Sequence, residues 1–310
     1  MRIVVIGAGA VGGYFGGRLA EAGLDVTFLV RAPKAAKLRK DGLVIKSPSG
    51  DLNLTQVRLA VEAQAIEGCE LVLVAVKSYQ LNAAMPQIIT LANSGAKILP
   101  LLNGVEHYEL LRSAVGAENV LGGLCQIVST LDAEGNIQHT SAVHSMTFGP
   151  TLPSQVDFCA ELKQAWSNVK FACKLSDDIW VDIWAKYAFI TAFSGVTTAS
   201  RLSIDKILAV TATKDIYYRS LQEMWQLARV SSAVLPDDYV NTNVETVSKN
   251  LQGATSSMHQ DLRKGLTLEV ESLQGAALRL AAQSDLELPT IRTLYGLIKP
   301  YENGAAGLAE

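Results

Sequence analysis

The glycine-rich sequence GAGAVG at residues 7–12 constrains the fold of this chain more than any other feature. It follows RIVVI at residues 2–6, an apolar β-branched run typical of a buried parallel strand, and it opens a segment with helical spacing. In that context Gly7 permits a tight turn, Gly9 lets the backbone approach a pyrophosphate, and Gly12 lets the helix pack close to the strand. The motif predicts a dinucleotide-binding loop at a helix N-terminus, and the alternative is a turn without ligand.

Size and composition limit the classes of protein to which the chain belongs. Its 310 residues suggest two domains, and 49% hydrophobic with 18% charged residues indicates a globular protein with an ample core. A net charge of −3 gives no basic field for nucleic acid or a membrane surface, and no apolar run reaches the length of a spanning helix. The four cysteines lack metal-ligand or disulfide spacing. We therefore expect no metal site and a cytoplasmic protein with reduced thiols.

Polar residues at the ends of the predicted strands indicate which dinucleotide would bind at the glycine loop. Arg31 follows the strand predicted at 25–30, where NAD-binding proteins usually carry an acid about 20 residues past the glycines. An arginine there suits a ribose 2′-phosphate and favours NADP(H) over NAD(H). Lys77 and Asn103 also end predicted strands, at the edge where parallel sheets bind ligands. The alternatives are a solvated arginine, a surface lysine and a turn asparagine before glycine.

Strand and helix signals divide the chain near residue 176. Strands alternate with helices before that point and helices alone follow it, so we predict an α/β fold. A Rossmann-type parallel-sheet domain would span residues 1–176, and an all-helical second domain residues 177–310. The strands are predicted at 2–6, 25–30, 43–47, 54–60, 70–77, 96–102, 120–130, 143–148 and 169–174. The helices are predicted at 11–22, 79–91, 155–168, 178–198, 214–234, 240–251, 258–283 and 289–299.

Two of the predicted helices carry candidate catalytic residues. Lys186 lies in an apolar run, where an unpaired ammonium is costly to bury, and Ser194 lies on the same helical face. Ser257, Asp261 and Glu269 are expected to share a face of the helix predicted at 258–283. A lysine and a carboxylate near a nicotinamide fit an acid catalyst with its orienting partner. The alternatives are a snorkelling or ion-paired lysine and a solvated carboxylate.

The chain resembles the ketopantoate reductase (2-dehydropantoate 2-reductase) family over nearly its whole length. The resemblance implies a Rossmann domain with a helical domain, and reduction of a 2-keto acid by NADPH in the step leading to pantoate. The matching motifs are the glycine loop, Arg31, Val76-Lys77-Ser78, Leu102-Asn103-Gly104, Trp184-Ala185-Lys186, the block from Ser256 to Asp261, Leu268-Glu269 and Gly275.

The resemblance also implies roles for individual residues. Lys186 matches the catalytic lysine of the family, and Glu269 matches the acidic residue that helps to place it and the substrate. Asn103 matches the active-site asparagine, and Ser257 matches a serine that contacts substrate. The cofactor-binding positions predicted from the motif and the resemblance together are Gly7, Gly9, Gly12, Arg31, Lys77 and Asn103.

The chain departs from the family on the helix that carries Lys186. Well-known members resemble Lys-x-x-x-Asn-x-x-x-Asn there, with both asparagines touching substrate, whereas this chain has Ile190 and Ser194. Isoleucine makes no hydrogen bond and serine offers a single hydroxyl on a shorter reach. Ser194 stays a predicted substrate contact, and the departure leaves the preferred 2-keto acid open.

The residues and the resemblance together favour NADPH-dependent reduction of ketopantoate to pantoate, with hydride transfer to C2 and Lys186 as the general acid. The alternatives are a reductase of another branched 2-keto acid, a β-hydroxyacid dehydrogenase and a non-catalytic NADP(H)-sensing protein. The only expected partner is the small-molecule substrate, with neither nucleic acid nor membrane. The oligomeric state, a homodimer included, stays open.

Overall fold

The computed structural model describes residues 1–304 and divides the chain into two compact units. The first unit comprises Met1–Leu102 and His107–Ile179, and the second comprises Asn103–Glu106 and Trp180–Glu310. The assignment of the short segment Asn103–Glu106 to the second unit is not apparent from the sequence.

The first unit is built around a five-stranded parallel sheet in the order β5-β2-β1-β6-β7. Two smaller sheets have the orders β4-β3-β10-β9 and β12-β11-β8. The strands are β1 (Arg2–Ile6), β2 (Asp25–Leu29), β3 (Leu43–Lys46), β4 (Leu52–Leu54), β5 (Arg58–Ala60), β6 (Leu71–Val74), β7 (Lys97–Pro100), β8 (Gly122–Gln126), β9 (Ser129–Leu131), β10 (Ile137–His139), β11 (Ser145–Gly149) and β12 (Ala172–Leu175). The helices are α1 (Ala10–Glu21), α2 (Ala32–Asp41), α3 (Leu81–Asn93), α4 (Glu106–Val115) and α5 (Val156–Ala165).

The parallel sheet forms because its strands are continuous runs of Val, Ile and Leu that are buried on both faces. All four residues of β6 and the last four of β1 are buried. The chain reverses its direction of winding between β1 and β6, since β2 lies on one side of β1 and β6 on the other. Ligands of open α/β sheets bind outside the carboxyl ends of the strands at such a switch point.

The second unit is helical within its described residues, apart from connecting segments, and it packs around the longest helix, α6. Residues 191–198 of that helix are all buried. The elements are α6 (Ile179–Ser200), α7 (Ile204–Ala209), α8 (Thr211–Val230), α9 (Tyr239–Asn250), α10 (Ser257–Arg263), a π-helical turn (Glu271–Gly275), α11 (Ala276–Ala282) and α12 (Pro289–Ile298). The predicted fold class, a Rossmann-type sheet domain followed by a helical domain, is confirmed.

The predicted helix at 258–283 is wrong, because the chain leaves the helix after α10. Gly265 adopts a φ of +66°, a left-handed conformation that commonly ends helices. An irregular segment then leads into the π-helical turn and α11. The helical face predicted to join Ser257, Asp261 and Glu269 therefore does not exist, and Glu269 lies in the connecting segment.

The predicted strands at 54–60 and 120–130 each correspond to two strands. In the first case β4 pairs with β3, whereas β5 pairs with β2 in the parallel sheet. In the second case β8 and β9 also belong to different sheets. Residues 54–60 mix apolar and polar positions, and residues 120–130 are mostly apolar, so in both segments a strand-like pattern continues where the chain passes from one sheet to another. Periodicity alone therefore does not reveal the break.

No helix within residues 1–304 combines the length and the apolar character needed to cross a membrane.

Candidate functional site

In the glycine loop of the first unit, a side chain would clash with the protein at Gly7 and Gly12 but not at Gly9. Gly7 adopts a φ of +96°, and a Cβ atom there would lie 2.7 Å from the carbonyl oxygen of Ala75. A Cβ atom on Gly12 would lie 2.1 Å from the carbonyl oxygen of Gly7. Within residues 1–304, a Cβ atom on Gly9 would meet nothing within 4 Å beyond the glycine's own neighbours in the chain. The loop is thus closed against the sheet at Gly7 and Gly12, and its backbone is accessible at Gly9.

The N-terminus of α1 is open for an anion. Gly9 is its N-cap residue and has no side chain to bind the first N–H groups, and the first turn carries no acidic residue. Unpaired N–H groups and the positive end of a twelve-residue helix dipole attract phosphate. These features fit the pyrophosphate of a dinucleotide.

Cationic side chains follow the two strands that flank β1. Arg31 follows β2, is exposed and is the N-cap residue of α2. Lys77 follows β6 and is half-buried. Lys34 lies in the first turn of α2, where partial burial and then the charge of Lys37 lower the pKa of its ammonium. Because β2, β1 and β6 are parallel neighbours, their carboxyl ends bring Arg31, the glycine loop and Lys77 to one edge of the sheet.

In the second unit, α6 is held against the π-helical turn near Lys186. The hydroxyl of Tyr187 donates a hydrogen bond to the carbonyl oxygen of Leu273 at 2.8 Å. The side-chain amide of Gln274 donates to the carbonyl oxygen of Thr191 at 2.7 Å. Burial raises the pKa of the Tyr187 phenol far above its usual range, so this group stays protonated and remains a donor. Lys186 itself is half-buried on this part of the helix.

Glu269 lies two residues before the same π-helical turn and is only 6% exposed. Its carbonyl oxygen accepts hydrogen bonds from the N–H of Leu273 and the hydroxyl of Ser272, both at 3.1 Å. These bonds fix the backbone from which the carboxylate projects. Turns of π-helix are rare and are often found at functional sites.

Asn103 reaches the π-helical turn from the segment that belongs to the second unit. Gly104 adopts a φ of +90°, and a Cβ atom there would lie 2.5 Å from the carbonyl oxygen of Ser272. Only glycine permits this close approach at this backbone conformation. The structure therefore brings the segments that carry Asn103, Lys186 and Glu269 to one short turn.

The two predicted serines have different environments. Ser194 is 1% exposed, and its hydroxyl donates to the carbonyl oxygen of Ile190 one turn earlier. Ser257 is the exposed first residue of α10. Its neighbour Ser256 caps α10 and accepts a hydrogen bond from the hydroxyl of Thr197 on α6 at 2.9 Å. Ser257 is thus accessible to a ligand beside α6, whereas the Ser194 hydroxyl is bonded within its own helix.

Tyr187 and Gln274 join α6 to the π-helical turn, a role that was not predicted from the sequence. Gln274 is fully buried, and a buried amide requires hydrogen-bond partners such as the carbonyl oxygen of Thr191. The sequence around it, with Glu271 and Ser272 nearby, does not distinguish a buried glutamine from an exposed one.

Comparison with known proteins gives consistent matches along the chain. The family model described as Ketopantoate reductase PanE/ApbA matches residues 3–152, and its C-terminal counterpart matches residues 178–302. An uncharacterized oxidoreductase of Bacillus subtilis, YkpB, is 36% identical over 302 residues, which cover 97% of this chain and 99% of the relative. A 2-dehydropantoate 2-reductase of Nostoc sp. is 26% identical over 303 residues, covering 96% of this chain and 94% of the relative.

The crystal structure of 2-dehydropantoate 2-reductase from Geobacter metallireducens has a TM-score of 0.89 at 27% identity and covers 96% of this chain and 99% of that one. The two family models match the sheet unit and the helical unit in that order, and together they cover most of the sequence. The chain therefore belongs to the ketopantoate reductase family.

Proposed function

We propose that this protein is an NADPH-dependent reductase of a 2-keto acid, with ketopantoate as the first candidate substrate and pantoate as the product. The observation that carries the proposal is the packing of the segments bearing Asn103, Lys186 and Glu269 against one π-helical turn. The similarity to 2-dehydropantoate 2-reductases along nearly the whole chain supports the same reaction.

The proposed cofactor site is the glycine loop with the cations beside it. The N-terminus of α1 would bind the pyrophosphate, and the backbone at Gly9 would contact it closely. Arg31 and Lys77 would bind the 2′-phosphate end of NADPH, since a guanidinium binds phosphate oxygens through two parallel hydrogen bonds. The bound cofactor supplies the hydride for C2 of the substrate.

In the proposed mechanism, Lys186 stabilises and protonates the reacting oxygen. As C2 is reduced, negative charge develops on the keto oxygen, and the nearby ammonium stabilises that charge before donating a proton to it. The Glu269 carboxylate orients the ammonium, and the Asn103 amide holds the substrate or the lysine. Ser257 is a proposed substrate contact. While its hydroxyl donates to the carbonyl oxygen of Ile190, Ser194 can serve as one only by accepting a hydrogen bond.

Substitution by alanine should affect cofactor binding at Gly9 and protein stability at Gly12. We expect Gly9→Ala to leave the melting temperature of the ligand-free protein nearly unchanged, and to weaken NADPH binding at least about tenfold, because the methyl group occupies the space proposed for the pyrophosphate. Gly12→Ala should lower the melting temperature, since its Cβ would overlap the Gly7 carbonyl. Calorimetry and titration with NADPH measure both quantities. Unchanged NADPH affinity in Gly9→Ala would contradict the proposed site.

Ile190 favours a second candidate function, reduction of a branched 2-keto acid without a hydroxyl group. Ile190 is half-buried and lies one turn from Lys186 on α6, so it presents an apolar side chain where the family has an amide. A site that hydrogen-bonds a substrate hydroxyl can reject the analogue lacking it by about 10⁴-fold or more, whereas small pocket differences discriminate by about 100-fold or less.

We therefore expect ketopantoate to be preferred over 2-ketoisovalerate by less than about 100-fold in kcat/KM. Ile190→Asn should shift the preference towards ketopantoate, because an amide can bind the terminal hydroxyl. The assay is steady-state oxidation of NADPH by the wild-type protein with a panel of 2-keto acids, which also tests the proposed function. Strong selectivity of the wild type for ketopantoate would show that Ile190 does not set the specificity, and no turnover of any 2-keto acid would overturn the proposal.

A further inference from the structure

Arg279 on α11 joins the two segments that carry Asn103 and Glu269. Its guanidinium donates to both carboxylate oxygens of Glu106, from Nε at 2.9 Å and from Nη2 at 2.7 Å. It also donates to the carboxylate of Glu271 from Nη1 and to the carbonyl oxygen of the same residue from Nη2, both at 2.8 Å. The proposed chemistry does not use this arginine.

These bonds hold the segment 103–106 at a second point. Gly104 rests against the carbonyl oxygen of Ser272, and Glu106 is bound by Arg279. The intervening chain is too short to move independently of both contacts. Asn103 immediately precedes Gly104, so this pair of contacts sets the position of its backbone relative to the π-helical turn.

Glu271, the second carboxylate bound by Arg279, is also held by other side chains. Glu271 is the first residue of the π-helical turn, two residues after Glu269. Its second carboxylate oxygen accepts hydrogen bonds from the hydroxyl of Tyr295 at 2.6 Å and the ammonium of Lys299 at 2.5 Å. Burial alone would raise the pKa of Glu271, but the bonds from Lys299, Tyr295 and Arg279 lower it to about 2. The carboxylate is therefore charged at neutral pH, where it accepts the hydrogen bond from Arg279.

We propose that Arg279, through Glu106 and Glu271, is a positioning residue that holds Asn103 and Glu269 in register for catalysis. The inference rests on the proposed reductase function. The planar guanidinium bonds both carboxylates in a fixed geometry, and a lysine ammonium cannot reproduce two parallel bonds to Glu106. The Arg279 side chain is 48% exposed, so water screens its charge, but a bidentate pair within a network can also stabilise the fold. The test therefore measures the melting temperature beside kcat, which separates a change in stability from a change in geometry.

The test compares Arg279→Met, Arg279→Lys and Glu106→Gln with wild-type protein. Misplacement of reacting groups by about 1 Å can cost about 100-fold in rate, and we expect kcat to fall about tenfold or more in Arg279→Met. Arg279→Lys should recover only part of that loss. The Kd for NADPH, measured by titration, and the melting temperature should stay close to wild type. The matched control is Arg219→Met, which removes an exposed ion pair with Asp215 on α8 and should change none of these quantities.

A loss of kcat with an unchanged Kd for NADPH and an unchanged melting temperature is the readout that a merely structural role would not produce. The double variant Glu106→Gln/Arg279→Met tests whether the two residues act through the same contact. If Glu106 and Arg279 act through their shared hydrogen bonds, kcat of the double variant should be no lower than that of Arg279→Met, and the two losses should not add. Unchanged kcat in Arg279→Met and in Glu106→Gln, or additive losses accompanied by a lower melting temperature, would overturn the inference while leaving the proposed function intact. Absence of turnover by wild-type protein would overturn the proposed function and this inference with it.

Discussion

Lys186→Ala is expected to lower turnover by about 10²–10⁴-fold, the usual range for the loss of a general acid. The reason is the position of the ammonium on α6, one residue before the tyrosine that binds the π-helical turn. The affinity for NADPH should barely change, because the glycine loop, Arg31 and Lys77, which are proposed to bind its phosphates, lie in the sheet unit. Steady-state kinetics gives the turnover, and titration of NADPH gives the affinity.

The control for this experiment is Lys249→Ala, which removes a lysine ammonium from the exposed surface of α9. It should leave turnover unchanged, so that a general effect of losing one positive charge is separated from the loss of Lys186. Wild-type turnover in Lys186→Ala would mean that the lysine has a structural role and that another group protonates the product.

Arg31→Ala is expected to remove most of a preference for NADPH over NADH that we estimate at about 10–100-fold. The estimate follows from one charge-assisted hydrogen bond to a phosphate, which contributes roughly 1.5–3 kcal/mol. Arg31 is exposed at the carboxyl end of β2, where the adjacent residues Val30 and Ala32 offer no carboxylate to bind a ribose hydroxyl. Titration of wild-type and variant protein with both cofactors measures the preference.

Arg39→Ala is the matched control for the cofactor experiment, because Arg39 lies in the last turn of the same helix and is also exposed. Its removal should leave the ratio of the two affinities unchanged. Equal affinity of the wild-type protein for NADPH and NADH would contradict the assignment of Arg31 to the 2′-phosphate.

The sequence predicts the glycine loop and the central strands of the parallel sheet because their signals are local, whereas α2, α4 and β10 were not predicted. The glycine loop, the buried strands β1 and β6, and the helix between β1 and β2 each follow from residues close together in the chain. Periodicity also finds the long helices, including α6. The family resemblance, which rests on several ordered motifs, is confirmed by the two family models.

The parts that sequence analysis missed depend on contacts between distant residues. The sequence around Glu269 continues a helical pattern, yet Gly265 ends α10 and the backbone re-forms as a π-helical turn. The segment 103–106 contacts the helical unit through Gly104 and through the bonds of Glu106 to Arg279, which is more than 170 residues away along the chain. No local periodicity reveals a pairing over that distance, so the association of the segments that carry Asn103 and Glu269 is visible only in the three-dimensional structure.

The measurement that tests the central claim most directly is hydride transfer from NADPH deuterated at both C4 positions to ketopantoate, catalysed by the wild-type protein. If the protein reduces C2 of the keto acid by direct transfer, the pantoate formed carries one deuterium on C2, and one cofactor is oxidised for each pantoate. Mass spectrometry and NMR of the product give its label and position. Pantoate without deuterium on C2, or cofactor oxidation without any hydroxy acid, would contradict the account.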